Sequence, residues 1–305
     1  MPRLRKARAL RPGQRIGIAA PAARVDAEKL ADCERVLHEL GWPTVWLDDP
    51  TAECGYFAGD DARRVRELDA LLEDDQVGAI VCARGGYGCH RYVDQLDAAR
   101  FRRFSKPLVG YSDVTTLLLW QRRFAGLTGI HGPMLERKGE AHRASLAATL
   151  ELLQGAVPAG MAGTGELPGR VEGRLVGGSL TLVAASLGTP WEVDTRGAIL
   201  LLEDIGEPPF RIDRMMQSLR VTGKLAACAG IGIGAMVACD DARFPDWKAE
   251  GIIRELAEAH GLPLVTGLPF GHVDVNRPWT FGARAVLDGD RGTLEQLESG
   301  VNQRS

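Results

Sequence analysis

Residues 106–120 read KPLVGYSDVTTLLLW, and this stretch decides the fold of the first half of the chain. Its apolar run LVGY predicts a buried strand, and the residues after Ser112 predict a helix that begins without a loop. A strand that leads into a helix is typical of βαβ architecture. Ser112 at the junction has two interpretations, because serine is both a favoured helix N-cap and a common nucleophile. The local pattern favours the cap.

The preceding hundred residues repeat the same alternation. The runs RIGIAA, PTVWL and VGAIVCA predict strands, and amphipathic helices are expected to begin near Asp26 and Asp61. This pattern predicts an N-terminal parallel-sheet α/β domain. Ligands of such sheets bind beyond the carboxyl ends of the strands. We therefore expect the tails APAAR, ARGGYG and YSD to converge on one crevice with Ser112 at its rim.

A change of composition indicates the domain organisation. Residues 156–170, AVPAGMAGTGELPGR, are rich in glycine and proline and weakly patterned, so we expect a linker there. The interpretation is an N-terminal domain over 1–155 and a smaller C-terminal mixed α+β domain over 171–305.

Composition and charge exclude several classes of function. A net charge of -3 argues against a nucleic-acid partner, and no apolar stretch is long enough for a membrane span. With no secretory signal apparent, we expect a cytoplasmic protein. Six scattered cysteines without a CxxC pair predict reduced thiols, with neither disulfide nor metal. GIGIGA at 230–235 sits inside a strand-like run, so we expect no dinucleotide, and CDDARFPD at 239–246 lacks metal-binding partners. No cofactor is expected.

Several residues can carry acyl-transfer chemistry. Gly85 and Gly86 follow a buried strand and can donate N–H groups to an oxyanion, or form only a tight turn. The N–H of Asp113 lies near the positive end of the helix after Ser112. Arg84 can bind a substrate carboxylate or pair with a neighbouring acid.

A base and an orienting acid are also needed. By position alone, His131 in GIHGPM and His272 in LPFGHVDVNRP are equally good candidates for the base. The strand-like AILLLED ends in Glu203 and Asp204, with Glu207 in the following loop. By pattern alone, a structural salt bridge is the favoured role for these carboxylates.

Seven segments together resemble the LD-carboxypeptidase family, serine peptidase family S66, which also contains the microcin C self-immunity peptidases. They follow the family's order over residues 15–288: IGIAAPA, ARGGYG, LVGYSDVTTLLL, IHGPM, GRLVGGSLTLVAASLGTPW, LLLEDIGEPPFRIDRMMQSL and LPFGHVDVNRPWTFGARAVLD. The resemblance implies a triad of Ser112, Glu203 and His272 split across two domains. It selects His272 over His131, and Glu203 over the two neighbouring acids.

The resemblance also implies the substrate. Family members remove the terminal D-alanine of a murein tetrapeptide in cytoplasmic peptidoglycan recycling, and they are commonly homodimers. The oxyanion donors would be the N–H of Asp113 and that of Gly85 or Gly86. Arg84 is the candidate ligand of the substrate's terminal carboxylate.

Two other functions are weighed against this one. A microcin-immunity peptidase would cleave an aminoacyl nucleotide analogue, but the chain is compact between Gly132 and Glu203, which favours the carboxypeptidase branch. A non-catalytic α/β ligand-binding module would not be expected to keep all three triad residues. The small departures from the family pattern are Ser179, Cys89 and His90.

Overall fold

The computed structural model describes residues 3–47, 49 and 51–302, and its secondary structure alternates between strands and helices. The strands are β1 (Ala7–Arg8), β2 (Arg15–Ala19), β3 (Thr44–Val45), β4 (Glu53–Cys54), β5 (Phe57–Ala58), β6 (Val77–Cys82), β7 (Leu108–Gly110), β8 (Gly129–His131), β9 (Met161–Ala162), β10 (Thr164–Leu167), β11 (Arg170–Ser179), β12 (Ala198–Ile205), β13 (Gly230–Val237), β14 (Leu264–Thr266), β15 (Trp279–Phe281), β16 (Arg284–Asp288), β17 (Thr293–Gln296) and β18 (Val301–Asn302). The helices are α1 (Ala27–Glu39), α2 (Asp61–Glu73), α3 (Ala98–Phe104), α4 (Thr115–Trp120), α5 (Glu140–Gln154), α6 (Leu180–Ala185), α7 (Pro209–Val221), α8 (Lys224–Ala227) and α9 (Ala249–Ala259). Short 3-10 helices span Cys89–Arg91, Val93–Gln95 and Ser112–Val114, and a π-helical turn spans Gln121–Ala125.

The chain divides into two compact units. The first contains Met1–Ala156, Arg277–Thr280 and Ser299–Ser305, and the second contains Val157–Asn276 and Phe281–Glu298. Within the described residues, no helix has both the length and the apolar character that a bilayer span needs.

The first unit is built on a six-stranded sheet in the order β15-β8-β7-β6-β2-β3. The pairings from β3 to β8 are parallel, and all six residues of β6 are buried, as a sheet covered on both faces requires. Helix α1 packs its apolar stripe of Leu30, Cys33 and Leu37 inward. It begins where the Asp26 carboxylate accepts hydrogen bonds from two backbone N–H groups. The predicted parallel α/β domain is confirmed.

The second unit is built on an eight-stranded mixed sheet in the order β10-β14-β13-β12-β11-β16-β17-β9. Its central strands β11 to β14 are parallel, and antiparallel strands flank them on both sides. Residues 230–235, GIGIGA, lie inside β13. The predicted mixed α+β character of this part of the chain is confirmed.

The structure draws the domain limits differently from the sequence at three places. One is Arg277–Thr280, which was expected in the C-terminal domain but belongs to the first unit, where β15 joins the six-stranded sheet. Residues 161–162 and 164–167 of the expected linker form β9 and β10 at the two ends of the second sheet. Gly165 is needed there because a Cβ would lie 2.0 Å from the carbonyl oxygen of Gly289. The glycines that suggested a linker therefore allow backbones to approach closely.

The end of the chain is the third place where the domain limits differ. It was expected to belong wholly to the C-terminal domain, but β18 pairs in parallel with β1 and belongs to the first unit. The carbonyl of Gly300 also accepts a hydrogen bond from the Thr128 hydroxyl of that unit at 2.7 Å. Pairing between strands almost 300 residues apart leaves no local sequence signal.

Candidate active site

Ser112 lies where β7 ends and the 3-10 helix Ser112–Val114 begins. Its φ of +58° is in the left-handed region, where few residues other than glycine are found. Tyr111 occupies the N-cap position, so Ser112 is the first residue of the helix and not its cap. Its side chain is partly exposed. Backbone strain at an accessible hydroxyl is typical of a functional position, and Ser112 is not the cap that the local pattern favoured.

The glycine-rich loop after β6 lies against this serine. A Cβ added to Gly85 would be 3.0 Å from the Cβ of Ser112 and 3.2 Å from its Oγ. The carbonyl of Gly85 accepts a hydrogen bond from the N–H of Ala23 at 3.0 Å, which connects the loop to the tail of β2. None of the hydrogen bonds among the described residues uses the N–H of Gly85 or Gly86. The structure thus brings together the predicted strand tails within the first unit.

The side chain of Asp113 joins this loop to the serine turn. Its carboxylate is buried, and Oδ2 accepts a hydrogen bond from the N–H of Cys89 at 2.8 Å. Burial raises the pKa of this carboxyl, and the bond from Cys89 opposes the rise. Sequence reasoning assigned a role only to the Asp113 backbone. An acid directly after a serine at a strand-to-helix junction was the signal available for its side chain.

In the second unit, Glu203 and His272 form a buried pair. Glu203 is the sixth residue of β12 and is fully buried, and its Oε2 lies 2.7 Å from Nδ1 of His272. Burial raises the pKa of Glu203, while the hydrogen bond and charge of His272 lower it. An Nδ1–H that donates to the carboxylate makes Nε2 the acceptor nitrogen of the neutral ring. This arrangement suits a general base that an acid orients.

Gly271 and Asn276 shape the loop that carries the histidine. Gly271 has a φ of +110°, and a Cβ there would lie 2.7 Å from Oε2 of Glu203. Its N–H donates to Oδ1 of the buried Asn276 at 2.9 Å. The loop therefore folds tightly over the carboxylate. Asn276 was missed by sequence reasoning, although it stands in the quoted motif DVNRP.

The two neighbouring acids have other partners. Asp204 accepts hydrogen bonds from the N–H of Thr181 at 2.7 Å and from that of Ile205 at 2.8 Å. Asp204 thus accepts a hydrogen bond from a backbone N–H in the first turn of α6, which is a structural role. Glu207 pairs with Arg211 one turn later at 3.3 Å.

His131 and Arg84 also have structural partners, both in the first unit. The His131 ring is fully buried and stacks on Trp279 with centroids 4.8 Å apart. Nε of Arg84 lies 3.2 Å from Oε2 of Glu136, and another Arg84 nitrogen donates to the carbonyl of Arg24 at 2.9 Å. The alternative in which Arg84 pairs with an acid is therefore realised.

Among the described residues, no cluster of His, Cys, Asp and Glu has the arrangement of a metal site. All six cysteines are free, and five of them are buried. Burial raises the pKa of Cys33 and Cys239 to about 11, which keeps both as neutral thiols near pH 7.

Comparison with known proteins covers both units. Residues 16–132 match the LD-carboxypeptidase N-terminal domain, and residues 172–287 match the LD-carboxypeptidase C-terminal domain. The murein tetrapeptide carboxypeptidase of Pseudomonas aeruginosa is 33% identical over 292 residues, covering 91% of this chain and 94% of the relative. The Bacillus subtilis protein named "Probable murein peptide carboxypeptidase" is 34% identical over 309 residues, covering 98% and 96%.

Solved structures share the fold. The muramoyltetrapeptide carboxypeptidase from Oxalobacter formigenes superposes with a TM-score of 0.82 at 28% identity, covering 92% of this chain and 96% of its own. Microcin C7 self immunity protein MccF in complex with aspartyl sulfamoyl adenosine gives 0.87 at 20% identity, covering 98% and 100%, a likeness of fold alone. By its two domain matches and its full-length relatives, the chain belongs to the LD-carboxypeptidase family, peptidase family S66, and is a hydrolase.

Proposed function

We propose that this protein is a serine carboxypeptidase that releases the terminal D-alanine of a murein tetrapeptide by hydrolysing the LD-peptide bond. The Pseudomonas aeruginosa relative is a murein tetrapeptide carboxypeptidase and the Oxalobacter formigenes relative a muramoyltetrapeptide carboxypeptidase, which supports the substrate class. The observation that carries the proposal is the buried hydrogen bond of 2.7 Å between Glu203 and His272. A fully buried carboxylate against a histidine is the orienting half of a serine-hydrolase triad.

Ser112 is the proposed nucleophile. His272 accepts the hydroxyl proton as Oγ attacks the scissile carbonyl, and Glu203 stabilises the imidazolium that forms. The left-handed backbone at Ser112 supports this role. His272 then donates its proton to the amine of the departing D-alanine, and water hydrolyses the acyl-enzyme by the same steps.

Backbone donors would bind the developing oxyanion. The N–H of Asp113 and that of Gly85 or Gly86 are the proposed pair, supported by the contact of Gly85 with Ser112. The Asp113 carboxylate bonds the loop that carries the two glycines to the serine turn, which fixes both sources of N–H groups together.

Arg84 is the proposed ligand of the terminal carboxylate of the substrate. A guanidinium has five N–H donors, and the bonds to Glu136 and to the Arg24 carbonyl engage only some of them. We further propose that the reaction serves peptidoglycan recycling in the cytoplasm and that the enzyme is a homodimer.

The decisive experiment follows D-alanine release from purified murein tetrapeptide. Ser112→Ala is expected to lower kcat by about a thousandfold or more, since it removes the nucleophile. Ser105→Ala is the matched control, because Ser105 is also a non-glycine residue with positive φ, at +53°, at the end of α3. It should keep wild-type kcat.

Two results would contradict the proposal. If Ser112→Ala released D-alanine at the rate of Ser105→Ala, Ser112 would not be the nucleophile. If the wild-type protein released none, the carboxypeptidase assignment would fail, and aspartyl sulfamoyl adenosine would be the next substrate to assay, as the ligand of the MccF structure.

A further inference from the structure

Three aromatic side chains cluster on the first unit beside the glycine-rich loop. Tyr56 and Phe57 come from the hairpin formed by β4 and β5, and Tyr87 comes from the loop itself. Ring centroids lie 4.2 Å apart for Tyr56 and Phe57, 5.8 Å for Phe57 and Tyr87, and 6.0 Å for the two tyrosines. We call these three residues the aromatic platform.

Two rings of the platform are exposed although they are large, and the ring of Phe57 between them is half-buried. Tyr56 is 58% exposed and Tyr87 is 46% exposed. Each buried tyrosine would remove 150 Å² or more of surface from water, at roughly 25 cal/mol per Å², so adjacent exposed rings forgo substantial stabilisation. Contiguous exposed aromatic surface is one of the features that interaction sites share.

The platform is held in place by backbone bonds. The carbonyl of Tyr56 accepts from the N–H of Arg24 at 3.0 Å, and the N–H of Ala58 donates to the carbonyl of Ala22 at 3.0 Å. The guanidinium carbon of Arg64, itself fully buried, lies 4.7 Å from the Phe57 centroid. A preformed surface of this kind costs little ordering when a ligand binds.

The same backbone bonds connect the platform to the nucleophile. Ala23, between the two residues that anchor the hairpin, donates to the carbonyl of Gly85, and Gly85 contacts Ser112. Tyr87 is two residues after Gly85. At about 3.5 Å per residue plus the length of the side chain, its ring lies within roughly 15 Å of the serine hydroxyl. A substrate segment of three extended residues spans about 10 Å, which is comparable with this distance.

Charge selects the kind of group that fits. The guanidinium groups of Arg64 and Arg91 lie 4.7 and 5.1 Å from the Phe57 centroid, and both contact the carboxylate of Asp61. Arg24 pairs with Glu53 of the same hairpin at 3.4 Å, so these three cations face two carboxylates. An additional ammonium group would be repelled there. A neutral ring with C–H groups on one face and hydroxyls at its edge suits tyrosine rings, and a pyranose has this form.

We propose that the aromatic platform binds a pyranose ring of the amino sugar attached to the amino end of the murein peptide. This inference rests on the proposed function, and it makes Tyr56 and Tyr87 determinants of preference for sugar-linked over free tetrapeptide. With the scissile bond at Ser112, the three residues on its acyl side span the distance to the platform.

The first test compares KM for two substrates, free tetrapeptide and tetrapeptide linked to N-acetylmuramic acid. The wild type should have about a tenfold lower KM for the linked substrate, as expected for one well-placed aromatic contact. Tyr56→Ala should bring the KM ratio to about one, and Tyr56→Phe, which keeps the ring, should preserve it. Trp247→Ala is the control for loss of an exposed aromatic, because Trp247 is 60% exposed in the second unit.

Equal KM values for both substrates in the wild type, or a ratio unchanged by Tyr56→Ala, would overturn the inference. A second measurement does not depend on catalysis. Saturation-transfer NMR with N-acetylmuramic acid at millimolar concentration should show binding to the wild type and to Tyr56→Phe, and none to Tyr56→Ala. No wild-type signal would refute the platform even if D-alanine were released, whereas binding without any D-alanine release would refute only the proposed function.

Discussion

Replacing Gly271 by alanine tests whether the loop over Glu203 positions the proposed base. The new Cβ would lie 2.7 Å from Oε2 and 2.9 Å from Cβ of Glu203. Ordinary contact begins near 3.4 Å, so the loop or the carboxylate must move by about 0.7 Å. Oε2 is the atom that bonds to His272, and the movement therefore disturbs the 2.7 Å hydrogen bond directly.

The expected magnitude has two contributions. Alanine at a φ of +110° costs about 1–3 kcal/mol of unfolding free energy, and the overlap with a buried side chain adds about 1–3 kcal/mol. Misplacement of a catalytic group by nearly 1 Å lowers kcat by about a hundredfold. Urea unfolding measures the first effect, and D-alanine release measures the second.

Gly139→Ala is the matched control for backbone strain. Gly139 has a φ of +106°, and a Cβ there would have no heavy atom within 4 Å. The free energy of unfolding of Gly139→Ala should fall by about 1–3 kcal/mol from backbone strain alone, and its kcat should equal that of the wild type. If Gly271→Ala retained the kcat of Gly139→Ala, the close packing of the loop on Glu203 would not position the base. A proton NMR signal of His272 Nδ1–H, present in Gly139→Ala and absent in Gly271→Ala, would report the lost bond without any substrate.

Three further predictions concern the first unit. Asp113→Ala should lower the free energy of unfolding in urea by about 1–3 kcal/mol and should lower kcat, because the buried N–H of Cys89 loses its acceptor. Asp113→Asn retains an acceptor oxygen, so it should keep most of the stability and most of the kcat. Equal losses in the two variants would contradict this role for the side chain. Arg84→Ala should raise KM for tetrapeptide more than it lowers kcat, and unchanged kinetics would remove Arg84 from the site. Burial lowers the pKa of Lys106 to about 8, so the unfolded chain binds more protons from pH 8 toward 10.5 and stability should rise with pH there. Lys106→Met should lose this rise, as urea unfolding at pH 7.5 and 9.5 would show.

Local pattern was sufficient for four strands of the first sheet, β2, β3, β6 and β7, because they lie in short, continuous apolar runs, but it did not predict β8 or β15. Val77–Cys82 is buried at every position, and this can be read from residue type alone. For the stretch 156–170, local pattern gave the wrong prediction. Its glycines look like flexibility in sequence, but at Gly165 the reason is the carbonyl of Gly289, which is 124 positions away.

In the candidate site, too, local pattern predicted some features and left others undecided. The resemblance to LD-carboxypeptidases pointed to Ser112, Glu203 and His272, but by pattern alone His131 and His272 were level. Burial and stacking on Trp279 account for His131, a property that no local window contains.

The sequence by itself determined the α/β alternation, the mixed second sheet and the family, because each depends on residue types in a fixed order along the chain. Only the tertiary structure decided that Ser112 has a left-handed backbone, that Asp113 bonds the loop of Cys89, and that Glu203 contacts His272. The last two are contacts between residues 24 and 69 positions apart. Long-range packing creates them, so they are absent from the local preferences on which sequence reasoning depends.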